Sequence, residues 1–248
     1  MRTLVFCTSY INTPDAWNSR YSRWLKYYEA TNLHRDITAM IDDGAVYTPE
    51  DQGIAIAGEK SSPQKDFSGV LLYRFDKRLG RISVKEYPGW WRSFLKSVQL
   101  ARYFGADKII HIESDAFLLS QRLIDFLNKT NSGWHVMWSN HYQFPETAIQ
   151  LICKDQFEIM ENFADQYNEK GALDIAEKIL PFTEVHKEFT GDRYSEVLRK
   201  RRGIFRSRKF DRFKIFRSNS IFRYMPYDAD FATQFESWQK LPSTSSKE

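Results

Sequence analysis

The stretch Lys108-Ile109-Ile110-His111-Ile112-Glu113-Ser114-Asp115 decides how the rest of the chain is read. Its first five residues are a short, largely apolar run of strand length, and it ends abruptly on two acids. Upstream, Phe94, Leu95, Val98, Ala101 and Phe104 fall on one face of a helix that Gly105 stops. Downstream, Ser120 is placed to cap a short helix through Leu127. A helix, a buried strand, an acidic strand end and another helix follow one another with short connections, which is the grammar of an α/β layer fold.

Working outward, Arg2 to Thr8 reads as a buried strand. Trp17, Tyr21, Trp24, Leu25 and Tyr28 then recur with helical spacing, with Thr13 as N-cap and Pro14 at the first helical position. Ile37 to Ile41 is a second strand ending at Asp42, Asp43 and Gly44, so the opening forms a β-α-β unit with parallel pairing as its default. Residues 48–69 are rich in Gly, Ser, Pro, Lys and Asp and read as a long mobile loop. Val70 to Phe75 and Ile82 to Glu86 read as strands before the Phe94 helix, and Trp134 to Trp138 and Ala148 to Ile152 as two more after it. Asp155 with Glu158 resembles a capping box, Leu173 to Leu180 reads as a helix stopped by Pro181, and an acid-rich stretch from Glu184 to Asp192 leads into a short helix through Arg199. The expected class is α/β: a Rossmann-like α/β/α sandwich on a mainly parallel central sheet, with antiparallel additions in the second half.

With 248 residues, 42% hydrophobic and 27% charged, the chain can bury one large core, and composition excludes fibrous and mostly disordered classes. No apolar run approaches the ~20 residues that span a bilayer, and the segment before Ser9 is too short for a secretory signal. Cys7 and Cys153 lie in strand-like text with no second Cys nearby, which suits two buried thiols in a reducing, cytoplasmic setting. The net charge of +4 hides an asymmetry: residues 199–223 carry 11 Lys and Arg against Asp211 alone, leaving the remainder at −6. The expected organisation is a catalytic body over residues 1–198 and a basic, aromatic-rich segment over 199–248 whose end, from Leu241, has a disordered composition.

Ligands of open α/β sheets bind beyond the carboxyl ends of the strands, so acids there carry the most information. Two clusters qualify: Asp42 with Asp43, and Glu113 with Asp115, the latter spaced so that an extended backbone sends both carboxylates to one side. Mg²⁺ or Mn²⁺ takes one or two such carboxylates and completes its shell with diphosphate oxygens and water, whereas the same acids can also merely cap a turn. Arg92, at a helix start, suits a phosphate; Ser9, at the first strand's end, faces the same region. His111 alternates with Ile110 and Ile112 and reads as a core residue, as do Trp90 and Trp91, though the tryptophans could also form a platform for a sugar or base.

The run from Lys108 to Leu118 resembles the strand and acidic motif of GT-A glycosyltransferases, with Glu-Ser-Asp where the usual form is Asp-x-Asp. The likeness extends back through Trp91 and Arg92 to the Ile41-Asp42-Asp43-Gly44 strand end, and covers roughly residues 1–203. It implies a GT-A-like fold, a nucleotide-diphosphate sugar as donor, and a divalent cation, Mn or Mg. It further implies Asp115 as metal ligand, Glu113 at the metal or ribose, and Asp42 or Asp43 at the base or ribose. Thr190 to Arg199 is similar to the segment of inverting members in which an acid at a helix start is the catalytic base. Gly191-Asp192 stands where an acidic pair is usual, so Asp192 is the first candidate base and Glu188 or Glu184 the alternatives. A late His completes the metal shell in some members, and His186 is the candidate here.

In the basic segment Phe205, Phe210, Phe213, Phe216 and Phe222 interleave with Arg and Lys, text that suits an anionic membrane surface or packing onto the acidic body. The leading expectation is therefore a metal-dependent, inverting glycosyltransferase acting on a glycan or lipid-linked acceptor, cytoplasmic or peripheral at the inner face of a membrane. A sugar nucleotidyltransferase would show a Gly-rich loop after the first strand, and Ser9 to Asn18 contains no Gly. A non-catalytic module binding a membrane or nucleic acid through the basic segment would leave the paired acids unexplained.

Overall fold

The computed structural model describes residues 1–50, 53–61, 63–83, 85–139, 142–170, 174–189, 191–193, 203–205 and 230–234. Thr3–Ser9 (β1) lies at the middle of the main sheet because every one of its residues is buried, as a strand covered on both faces requires. The chain then forms α1 (Pro14–Ala16), a π-helical turn (Trp17–Tyr21) and α2 (Ser22–Glu29) as one continuous helix. Thr13 caps it by accepting a hydrogen bond from the Ala16 N–H, with Pro14 in the first turn as expected. β2 (Ile37–Asp42) returns parallel to β1.

Residues 48–69 were expected to be loop throughout. They instead contain β3 (Ile54–Gly58), which pairs in parallel with β4 (Gly69–Arg74) at the sheet edge. Ile56 is exposed there, so the strand never shows the apolar alternation that would reveal it. Ile82 to Glu86, expected as a strand, folds as a turn among its described residues: Ser83 Oγ accepts from the Lys85 and Glu86 N–H groups and diverts the backbone from a ladder. α3 (Pro88–Phe104) follows, closed by Gly105 at φ 64°, and leads to β5 (Lys108–Ile112) on the other side of β1. β6 (Phe117–Leu118) and α4 (Gln121–Lys129), capped by Ser120, complete this half.

β7 (Trp134–Ser139) and β8 (Phe144–Cys153) form an antiparallel pair, and α5 (Phe157–Lys170) comes next. Asp155 does not cap α5; its carboxylate accepts from the Gly133 N–H at the start of β7. The expected Leu173 to Leu180 helix is a single turn, α6 (Ala176–Ile179), among the described residues. β9 (Glu184–His186) adds in parallel to β7. The main sheet therefore runs β3-β4-β2-β1-β5-β8-β7-β9, with only β8 reversed. A small second sheet joins β10 (Gly191–Arg193), β11 (Phe231–Thr233) and β6. Asp192 thus lies in a strand, opposite Ala232, rather than at the N-cap of a helix. The segment 194–200 that was read as that helix lies outside the described residues, as does most of the basic segment. Phe231 to Thr233 nevertheless pack into the body, and Asp230 pairs with Arg122, so the body extends beyond Leu198.

The two faces of the sheet carry separate cores. α3, α5 and α6 cover one, around Phe6, Trp91, Phe94 and Trp134; α2 and α4 cover the other, around Cys7, Trp24, Tyr28 and Leu127. This is an α/β/α sandwich on a mainly parallel sheet. Cys7 and Cys153 are buried free thiols, each pushed up in pKa chiefly by burial. Among the described residues no helix is long and apolar enough to cross a membrane. Trp91 is fully buried and its indole N–H has no partner among the described residues, so its contribution there is packing. Trp91→Ala should cost about 3–5 kcal/mol in urea unfolding, while Trp91→Phe, which sacrifices no hydrogen bond, should cost markedly less.

Candidate functional site

The chain goes left from β1 to β2, β3 and β4, then crosses to β5 on the right, so the sheet order reverses at β1. The carboxyl ends of the strands at that reversal open into a cleft of about 740 Å³. Ser9, Asp43, Glu113 and Asp115 line it, as anticipated from sequence.

Glu113 is the best-anchored acid there. Its carboxylate accepts hydrogen bonds from Thr8 Oγ1 on β1 at 2.9 Å and from the Trp90 indole N–H on α3, and His111 Nε2 on β5 lies 3.3 Å away. Burial opposes its charge, but His111, Trp90 and Thr8 together outweigh that and hold its carboxyl below the ordinary range. His111 is a fully buried core residue whose Nδ1 lies 3.2 Å from the Thr147 carbonyl. Trp91 is wholly core, whereas Trp90 both packs on Phe94 and lines the cleft.

The two acids of the motif do not stand on an extended backbone. The chain turns at Glu113, whose carbonyl accepts from the Ala116 N–H at 2.8 Å, so Asp115 leaves on a separate course. Both carboxylates still reach the cleft, with Glu113 17% and Asp115 29% exposed. Asp115 pairs with Arg20 Nη2 at 3.1 Å, and Arg20 Nε donates to Ser114 Oγ at 2.7 Å. Burial disfavours the Arg20 charge, but Asp115 and then Tyr21 and Glu113 reverse the effect and raise its pKa. The Tyr21 hydroxyl, pushed up to about 12 by burial, accepts from the Tyr10 N–H and fixes that residue at the cleft wall. The Arg78 guanidinium lies 4.0 Å from the centre of the Tyr10 ring.

The second acidic pair divides its labour. Asp42 is fully buried outside the cleft: it accepts from the Ile11 and Ala45 N–H groups at 2.7 Å each and from Ser9 Oγ, and so clasps the loops after β1 and β2. Burial raises its pKa despite those bonds and Arg74. Asp43 reaches the cleft wall, where it accepts from the Leu79 and Gly80 N–H groups and pairs with Arg92. Arg92 itself does not line the cleft; it holds Asp43 and the Lys77 carbonyl and lies over the Phe75 ring. It is a positioning residue for the loop that carries Arg78 and Arg81.

The β8 end of the cleft was not anticipated. A register break opposite Val136 and Met137 bulges β8 and presents Glu146, Thr147 and Ala148. Glu146 is buried and accepts from Thr233 Oγ1 at 3.1 Å, and Thr147 Oγ1 donates to Glu177 at 3.3 Å. Arg20 and Glu146 carry no readable sequence signal, since one stands beside a helix stripe and the other depends on a bulge. His186 and Glu188 lie elsewhere: His186 sits on β9, three strands from β5 or ~14 Å at the usual strand spacing, and Glu188 binds it at 2.7 Å. His186 therefore does not join Glu113 and Asp115 but His135 and Glu184.

Asp115, with Glu113 in the same cleft, is a hard oxygen donor set, which fits a Mg²⁺ or Mn²⁺ ion that takes most of its shell from phosphate and water. Arg20, Arg78 and Arg81 line the same space and supply fixed positive charge for an anionic ligand.

No family model and no curated protein matches the chain. The solved structures similar to it include two glycosyltransferases. One, described as a glycosyltransferase involved in the glycosylation of the major capsid of PBCV-1, has a TM-score of 0.48 and 12% identity, covering 94% of this chain and 93% of that one. The other, the apo-form glycosyltransferase GlyE of Streptococcus pneumoniae TIGR4, has a TM-score of 0.38 and 14% identity over 68% of this chain, which spans only 39% of that protein's length.

Gly89 faces Asp43 so closely that an added Cβ would overlap its Oδ2 and stand 2.9 Å from the Gly80 nitrogen. Gly89→Ala should therefore displace Asp43 and the Arg78 loop, costing about 1–3 kcal/mol in thermal or urea unfolding. Gly105→Ala, strained at φ 64° with open space around it, should cost about 1 kcal/mol and leave the cleft unaltered.

Proposed function

We propose that the chain is a metal-dependent glycosyltransferase that moves a sugar from a nucleoside-diphosphate donor to a glycan or lipid-linked acceptor. The observation that carries this reading is the juxtaposition, at the sheet's reversal point, of the Glu113 and Asp115 carboxylates with Arg20, Arg78 and Arg81 in one cleft. A diphosphate with its counter-ion needs both signs in one place. Between Ser9 and Asn18 no glycine permits the close backbone approach that a nucleotidyltransferase loop makes, which disfavours that alternative.

In this reading Asp115, with Glu113, would hold a divalent cation that, when bound, neutralises the diphosphate leaving group. Glu113 is the less free of the two, being tied to Thr8 and Trp90, and it sets the position of the turn that carries Asp115. Arg20 and Arg78 would pair with phosphate oxygens, Tyr10 offers an aromatic face to a base, and Asp43 and Ser9 line the nucleoside side of the cleft. Attack by an acceptor hydroxyl with inversion needs one carboxylate to take its proton. Glu146 and Glu177 line the β8 end, opposite the arginines, and Asp192 stands on the strand that pairs with β11, whose following residue Gln234 lines the same end. These three are the candidate bases; Glu188, turned to His186, is not placed for that role. The basic segment would bring the body to an anionic membrane where lipid-linked acceptors reside. Flotation with anionic liposomes should then fall when the Lys and Arg between residues 206 and 217 are neutralised, and unchanged flotation would rule this out.

The direct test is a thermal-shift panel of UDP, GDP, CDP and dTDP with and without Mn²⁺. At about 100 times its dissociation constant the correct nucleotide should stabilise by about 2.7 kcal/mol, a rise of roughly 5–10 °C for a chain of this size. The rise should require metal and vanish in Asp115→Ala; a nucleotide response indifferent to both would overturn the assignment.

A further inference from the structure

Far from the cleft, His135 on β7 and His186 on β9 face each other across the parallel pair, with His135 Nδ1 2.9 Å from His186 Nε2. Both rings are buried, at 4% and 9% side-chain exposure, and Glu184 Oε2 lies 3.7 Å from the first nitrogen and 3.8 Å from the second. Among the described residues these three form a cluster of possible metal ligands, and none of them lines the cleft.

The outer nitrogens fix the chemistry of the inner ones. His135 Nε2 lies 2.6 Å from the Ser132 carbonyl, an oxygen that can only accept, so this nitrogen carries the proton. His186 Nδ1 lies 2.7 Å from Glu188 Oε1, a carboxylate oxygen placed to accept its proton. With the outer nitrogens carrying the protons, two neutral rings would set their inner lone pairs against each other at hydrogen-bond distance. Such a pair is repulsive unless a cation stands between them. A shared proton would satisfy the two nitrogens, and a metal ion would take the carboxylate as a third ligand.

The geometry suits a metal. A tetrahedral ion with N and O ligands near 2.0–2.1 Å has donor–donor edges of about 3.3 Å, and the observed edges of 2.9, 3.7 and 3.8 Å bracket that value. Metal-bound histidines characteristically give their other N–H to a carboxylate or backbone carbonyl, and here Glu188 and the Ser132 carbonyl already do this. Phe126 and Phe189 wall the histidines with apolar surface, the Phe126 ring 4.5 Å from that of His186. Gly133 makes room: a Cβ there would stand 2.7 Å from His135 Nε2.

We propose that His135, His186 and Glu184 form a zinc site that ties the short edge strand β9 to β7, with water as the fourth ligand. Two imidazoles with one carboxylate select zinc over Mg²⁺ or Mn²⁺, which prefer oxygen. The site is independent of the proposed nucleotide chemistry. It pins Phe189 and the chain leading to β10, where the small sheet begins.

Chelator-treated full-length protein is titrated with Zn²⁺, followed by calorimetry and melting temperature, and with Co²⁺, followed by its visible absorption. One equivalent should bind, zinc in excess should raise the melting temperature by on the order of 5 °C, and Co²⁺ should give the intense bands of a four-coordinate ion. Glu184→Gln, exposed and therefore safe for folding, should weaken zinc at least tenfold, and Glu188→Gln by about 10–100-fold. His186→Ala should abolish binding, while Asp115→Ala should leave it intact even though the nucleotide response is lost. Absence of stoichiometric zinc binding overturns the proposal, as does binding that survives both Glu184→Gln and His186→Ala, or that disappears with Asp115→Ala.

Discussion

The Glu113 carboxylate is the point on which the rest of the cleft depends. It binds Thr8 from β1, the Trp90 indole from α3 and lies against His111 from β5, so a single half-buried acid joins the two central strands to the helix that links the halves of the sheet. A charged carboxylate left without these donors would be costly at this depth, and with them it is a rigid anchor. The anchor fixes the turn from Glu113 to Ala116, and the turn aims Asp115 at Arg20. Sheet topology puts the strand ends together, and this node converts that proximity into a fixed arrangement of charges.

A similar economy governs the opposite wall. Asp42 and Asp43 are adjacent in sequence but are sent to opposite tasks by the pleat: one is buried and ties the loops after β1 and β2, the other holds the loop carrying Arg78 and Arg81. Gly89 exists at the start of α3 because Asp43 occupies the space a side chain would need. Asp115 is paired with Arg20 and Asp43 with Arg92, so the scaffold fixes charges of both signs in and beside one cleft.

Much of this was legible before the structure. The β1-helix-β2 unit, α3 with its Gly105 stop, β5 and the acids after it follow from apolar periodicity and capping residues that agree with the tertiary fold. What escaped depends on partners distant in sequence. β3 is half exposed and shows itself as a strand only through β4. Glu146 enters the cleft on a bulge whose origin is the register of β7 against β8. The two-residue spacing of Glu113 and Asp115 suggested one extended face, but a turn intervenes, and His186, which family likeness would send to Asp115, meets His135 because β9 adds to β7 at the far edge. Asp192, the candidate base expected at a helix start, stands instead on a strand, since its partner β11 comes from some forty residues later in the chain.

The most direct measurement is anomalous scattering at the manganese edge from crystals soaked with Mn²⁺ and the nucleoside diphosphate that stabilises the protein. The account predicts a manganese peak in coordination with Asp115, bridged to a diphosphate that extends toward Arg20 and Arg78. A nucleotide bound elsewhere, or bound in the cleft with no metal at Asp115, would contradict it.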